Sequence, residues 1–94
     1  MAMYLHLGQS VVVPEADVIG VFDLDNTTGS HITRKFLSDA EKANRVVNVS
    51  DELPKSFVVC SEGSSFLVYL SQLSSQTLLR RSGVNQYRKY SING

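Results

Sequence analysis

The feature that most constrains this chain is a pair of short apolar runs joined by a polar loop. Lys55-Ser56-Phe57-Val58-Val59-Cys60 and Ser65-Phe66-Leu67-Val68-Tyr69-Leu70 flank Ser61-Glu62-Gly63-Ser64. Runs of this length, rich in β-branched and aromatic residues and separated by a loop containing Gly, read as a β-hairpin. More strands precede it. Tyr4-Leu5-His6-Leu7 is closed by Gly8, and Val11-Val12-Val13 is stopped by Pro14, which has no N–H to give a ladder. Val18-Ile19-Gly20-Val21-Phe22 is almost wholly apolar and is expected to be central or buried on both faces. Arg45-Val46-Val47-Asn48-Val49 is a further strand, followed by the polar turn Ser50-Asp51-Glu52-Leu53-Pro54.

Two helical patterns interrupt the strands. Ile32, Phe36, Leu37, Ala40 and Ala43 recur on one face of a 3.6-residue period, with Arg34, Lys35, Asp39, Glu41 and Lys42 opposite. Thr28 or Ser30 is placed to cap this helix, and Asn44 to take the left-handed conformation at its end. A shorter pattern opens at Ser74-Ser75-Gln76-Thr77 and ends before Gly83. With Ser74 as N-cap, Leu73 and Leu78 occupy the positions of a hydrophobic staple. Strands outnumber helices and do not alternate with them. The fold class is therefore α+β: a small, largely antiparallel sheet of about five to six short strands with one longer and one short helix. A chain of 94 residues forms one domain, burying roughly 60–65% of its unfolded surface. We assign it to residues 1–83. Residues 84–94 follow neither period and are expected to form a mobile tail.

Charge is balanced overall but not along the chain. Nine Lys and Arg face nine Asp and Glu, which excludes a broadly basic protein on totals alone. All nine acids lie at or before Glu62, so residues 1–63 carry −4 and residues 64–94 carry +4, from Arg80, Arg81, Arg88 and Lys89. Such asymmetry hints at an anionic partner for the basic end. The start has no charged n-region and no apolar h-region, and no run approaches the ~20 residues of a membrane span, so a cytoplasmic protein is expected. The single cysteine, Cys60, excludes an internal disulfide and reads as a small buried hydrophobe. His6 reads as a core or edge histidine and His31 as exposed, since neither has partners at metal-ligand spacing. No metal and no cofactor are expected.

One segment resembles an enzyme motif. Val18-Ile19-Gly20-Val21-Phe22-Asp23-Leu24-Asp25-Asn26-Thr27-Thr28 is similar to the first motif of haloacid-dehalogenase-type phosphatases. There a strand delivers an aspartate nucleophile and a second aspartate two residues on acts as acid and base beside Mg²⁺. Asp23 and Asp25 would take those roles. The downstream lysine loop and late acidic pair are missing, because Asp51-Glu52 precede the last two strands. The favoured reading is a polar turn between strand and helix. The segment also fails as a calcium loop, since Arg34 stands where a bidentate Glu is needed.

The basic end offers a binding reading. Arg80 and Arg81 close the second helix, where they either complement its dipole or meet a ligand. Tyr87-Arg88-Lys89-Tyr90 interleaves rings with cations, a pattern that grips phosphates and stacks on bases, or serves as a strap on a neighbouring subunit. Identical chains in a ring would multiply a few such contacts on one duplex.

Several segments together resemble the RemA/RemB family of extracellular-matrix regulators from spore-forming bacteria, closest to the RemB-like branch. They are Tyr4-Leu5-His6-Leu7-Gly8, Asp17-Val18-Ile19-Gly20-Val21-Phe22-Asp23-Leu24, Pro54-Lys55-Ser56-Phe57-Val58-Val59 and Tyr69-Leu70-Ser71-Gln72-Leu73-Ser74-Ser75-Gln76-Thr77-Leu78-Leu79-Arg80-Arg81. The resemblance implies a small α+β domain that assembles into ring-like homo-oligomers. It also implies a transcriptional regulator of biofilm-matrix genes that binds double-stranded DNA through arginines, as the RemA-like branch does. That branch has an arginine where this chain has Asp17, and an arginine pair where it has Leu53-Pro54. The nucleic-acid-binding candidates are therefore Lys55, Arg80, Arg81, Arg88 and Lys89, mainly on phosphates, with no small-molecule substrate. The alternative is an oligomeric protein-interaction module that has lost DNA binding.

Overall fold

The computed structural model describes residues 3–24 and 31–82. Its elements are β1 (Tyr4–Gly8), β2 (Val11–Pro14), a 3₁₀ turn (Glu15–Asp17), β3 (Val18–Asp23), α1 (His31–Lys42), β4 (Val46–Asn48), β5 (Ser56–Glu62), β6 (Ser65–Ser71) and α2 (Ser75–Ser82). The fold is α+β. The strands divide into two small sheets, the β1-β2 hairpin and a four-stranded sheet of order β3-β5-β6-β4. All pairings are antiparallel except β4 with β6. That exception follows from connectivity. β3 and β4 lie at opposite edges of the larger sheet and run the same way, and the crossover between them carries α1.

The hairpin expected from sequence is the β5-β6 pair at the centre of that sheet. Its strands run further than the apolar runs suggest, pairing as far as Glu62 with Ser65, so the connection is only Gly63-Ser64. Gly63 has φ 58°, and a type II′ turn takes glycine at its first central position for that reason.

Alternation along β5 builds two cores. Val58 and Cys60 join Leu5, Leu7, Val13, Val18, Val21, Val49 and Leu78 beneath the β1-β2 hairpin and α2. Phe57 and Val59 join Leu24, Ala40 and Val68 on the other face, with Phe36 and Leu37 of α1 packed against them. The sheet is thus covered on both sides, which gives three layers. Two buried serines tie layers together. Ser71 Oγ donates to Leu7 O at 2.6 Å, and Ser56 Oγ donates to Leu73 O at 2.7 Å. Gly8 admits a close approach here, because a Cβ on it would fall 2.7 Å from Gln72 Oε1.

Three expectations need correction. β3 is an edge strand, and Ile19 on it is 48% exposed. The apolar run arises because one face packs under α2 and the hairpin while the other faces α1. Ile19 also stands opposite no residue: Val18 pairs with Cys60 and Gly20 with Val59, leaving a bulge. The bulge resets the two-residue alternation, so that Val18 and Val21, three apart, reach the same core. On α1, Phe36, Leu37 and Ala40 face the sheet, but Ile32 is 82% exposed and Ala43 lies exposed beyond the helix end. Asn44 does take the left-handed conformation, with φ 60°. Thr28, Ser30 and residues 83–94 lie outside the described residues.

Candidate nucleic-acid interface

The cations are positioned by α2. Ser74 caps that helix: its Oγ accepts from Thr77 N at 3.1 Å, and Leu73 and Leu78 join the same core. The cap and the buried Leu78 fix α2 across β1 and β3. Its last turn then presents Arg80 and Arg81 side by side to solvent. Arg80 Nη2 donates to Thr77 Oγ1 at 3.4 Å.

Lys55 stands at the other end of α2. Its N–H donates to Ser71 O at 2.8 Å and its carbonyl accepts from Leu24 N at 3.0 Å, so its backbone is held between two segments while its side chain is exposed. Five residues of helix separate Ser75 from Arg80, a rise of about 7.5 Å. Lys55 and the arginine pair therefore flank α2 instead of forming one cluster. Among the described residues, no carboxylate lies within ion-pair distance of any of the three. Arg88 and Lys89 lie outside the described residues.

A further basic feature escaped the sequence analysis. The first turn of α1 holds His31 and Arg34, whose Nδ1 and Nη2 are 3.4 Å apart, and no acid. The guanidinium of Arg34 there opposes the helix dipole. That mismatch was the available signal. Two nearby cations are tied up locally: Lys35 pairs with Asp39 at 3.1 Å, and Arg45, just before β4, donates from Nη1 to Phe66 O at 3.2 Å with Glu62 3.9 Å away.

The acidic motif is structural in its surroundings. Asp23 ends β3 and lies 3.5 Å from Ser75 Oγ at the start of α2, where a carboxylate complements the helix N-terminus. Its strand runs antiparallel to β5, whereas the phosphatase motif sits in a parallel sheet. Asp25 lies outside the described residues. Among the described residues, no group of three or more His, Cys, Asp and Glu is arranged to hold a metal ion. No helix there is long and apolar enough to cross a membrane. His6 is exposed on β1, and His31 is exposed on α1.

Cys60 is buried, and burial first, then the charge of Asp17, push its thiol up to about 12 from 9.0. The phenol of Tyr69 is raised as well, by burial first and then by Cys60, Glu62 and Asp17. The unfolded chain releases the Cys60 proton near 9, so between pH 9 and about 12 the folded state binds more protons. Stability is therefore expected to fall as pH rises through that window, by about 1 kcal/mol per pH unit. Urea midpoints measured at about pH 8 and pH 10 check this, and Cys60→Ala should flatten the difference.

The site thus combines cations around α2 that are exposed and, among the described residues, without carboxylate partners. Residues 4–81 match the family of proteins described as extracellular matrix regulatory protein A-like. The chain belongs to the RemA-like family. It is 38% identical over 80 residues to extracellular matrix regulatory protein B of Bacillus subtilis (strain 168), an alignment covering 85% of this chain and 90% of that relative. Within the family it is RemB-like, and the family is one of matrix regulators. The two places at which the sequence departs from the expected RemA-like pattern differ in their surroundings. Asp17 is half-buried at the head of β3, and Leu53 is 84% exposed in the loop before β5.

Proposed function

We propose that this RemA-like protein is a non-enzymatic, oligomeric, cytoplasmic regulator that binds double-stranded DNA at extracellular-matrix genes, mainly through backbone phosphates. The observation that carries this reading is the set Lys55, Arg80 and Arg81, exposed around α2 without carboxylate partners among the described residues. Cations left free in this way release counterions from a duplex when they bind it. Arg88 and Lys89 extend the same basic segment. Three cations per subunit bind weakly alone, so the reading requires several copies on one duplex. Exposed apolar side chains support self-association. Met3, Tyr4 and Val12 lie on the hairpin layer, and Ile19 and Ile32 on the α1 side of the sheet. Patches on opposite layers suit head-to-tail contacts, which close into a ring where the rotation between copies allows it.

A duplex-binding titration across about 50–200 mM salt tests the proposal. Wild type should bind with a steep negative salt slope, and Arg80→Ala/Arg81→Ala should lower that slope by about 1.8 per subunit engaged. No binding at low salt sinks the reading. In that case the exposed Leu53, standing where the RemA-like branch has a cation, favours the second reading, a module that binds a protein through this loop.

A further inference from the structure

Two charges of α1 stand at the wrong ends of their helix. Arg34 lies in the first turn, where the dipole favours an acid, and Glu41 in the last, where it favours a cation. Exchanging them would suit the helix better, so the native signs cost it stability. Seven residues separate the two, a rise of about 10.5 Å, so they share a stripe two turns apart and cannot pair within one chain. Among the described residues neither has an opposite charge within ion-pair distance. That stripe, with Leu37 and Ser38 between the charges, borders a hollow of about 260 Å³ that Val46 of β4 and Leu70 of β6 also line. β4 is an edge of the larger sheet, and its outer side pairs with no strand among the described residues.

We propose that a second copy of this chain covers this edge across a two-fold axis, with β4 antiparallel to its counterpart and Arg34 of each copy on Glu41 of the other. The order of the charges selects this occupant. In a two-fold contact residue i meets j and j meets i. A stripe that runs from cation through Leu37 and Ser38 to acid is therefore complementary to itself when its two copies run antiparallel. An axis through Val47, the middle residue of β4, sets Val47 opposite itself and Val46 opposite Asn48. The two sheets then continue into one, both copies of α1 lie on the same face, and the two hollows meet over the join. Arg34 and Glu41 bridge it, with their aliphatic stems over Val46 and Leu70. The other edge lacks this match. β3 is preceded by Asp17 and ends at Asp23, so two antiparallel copies of it would set acid against acid, and the bulge at Ile19 interrupts its pairing. The β4 contact uses neither Ile19 and Ile32 nor the hairpin layer, so it goes beyond the head-to-tail assembly proposed above and depends on neither that assembly nor DNA.

Sedimentation equilibrium of the full chain, at low salt and without DNA, tests this. The wild type should associate reversibly, and salt should weaken the association. Arg34→Glu and Glu41→Arg each replace two attractions by two repulsions, and each should weaken association at least about tenfold. Both also put the sign that the helix end favours in place, so the monomer should stay folded, with a urea midpoint no lower than that of the wild type. The exchange Arg34→Glu/Glu41→Arg should bring association back to within about threefold of the wild type. Single variants that associate as the wild type does, or an exchange that fails to restore, would overturn the proposal. So would a wild type that stays monomeric up to its solubility limit. Association that ignores all three variants but is lost in Ile32→Asp would overturn it while leaving the head-to-tail contacts standing. A second readout concerns the strand. Val47→Cys should form a disulfide-linked dimer on mild oxidation, since residues facing each other across antiparallel strands have Cβ atoms about 4.5–5.5 Å apart. Ala16→Cys, exposed on the 3₁₀ turn, should link at least about tenfold less, and equal yields would overturn the pairing of β4. Native Cys60 is buried and does not interfere.

Discussion

Phe57→Ala is expected to remove about 3–5 kcal/mol of stability, the usual cost of truncating a buried phenylalanine. A domain of 94 residues has about 5–14 kcal/mol in total, so the variant should stand at the edge of unfolding. The size of the effect follows from what rests on this ring. Phe57 is 4% exposed and stacks on Phe22 with centroids 4.9 Å apart. Phe36 of α1 lies 6.4 Å from Phe57 and stacks on Phe66 at 5.5 Å, so the helix is seated on an aromatic chain that crosses the sheet. Removing the middle ring leaves a cavity that α1 can fill only by sliding. The same ring lines an apolar groove between β3 and α1, with Ile19, Phe22, Ile32 and Phe36 around it. Urea denaturation checks it: the midpoint should fall by a third or more with the slope unchanged. A loss below about 1 kcal/mol would mean that the two layers are not coupled through Phe57.

How far the sequence revealed this arrangement depends on which signal is local. The β5-β6 hairpin, the Ser74 cap and the left-handed Asn44 were legible because each is fixed by residues within a few positions. The placement of β3 was not. An apolar run looks the same whether it is central or is an edge strand lying between two layers, and only the register with β5 shows the bulge at Ile19. The parallel pairing of β4 was hidden for a similar reason, since it depends on where α1 carries the chain. Among the candidate cations, the adjacency of Arg80 and Arg81 is that of the sequence itself, whereas the position of Lys55 near the start of α2 needed the tertiary fold. Asp23 shows the converse case. A short motif suggested chemistry, and the antiparallel strand that carries it removes the context that chemistry needs.

On the proposed function, replacing Asp17 and Leu53 with arginine is expected to strengthen duplex binding strongly. The double variant alters charge by three units per subunit, and each added phosphate contact steepens the salt slope by about 0.9. Across several copies, affinity at low salt should rise by more than about a hundredfold. The two positions lie at opposite ends of the β3-β5 pair, because Val18 faces Cys60 and Asp23 faces Ser56. At about 3.3 Å per residue, roughly 20 Å separates them, so on one subunit they cannot grip the same phosphate. In a lone subunit the two substitutions should therefore act independently. In a ring, the Asp17 end of one copy can face the Leu53 end of the next, and the double variant should then exceed the combined effect of the singles. Local placement has its own readout. Asp17→Arg removes a charge that raises the Cys60 thiol, so the alkaline loss of stability should still begin near pH 9 but end at a lower pH and be smaller. If the thiol responds as expected while duplex affinity does not move, this face of the subunit is turned away from DNA. The proposed contact then rests on the cations around α2, and Arg80→Ala/Arg81→Ala should weaken it more than the arginines at positions 17 and 53 strengthen it.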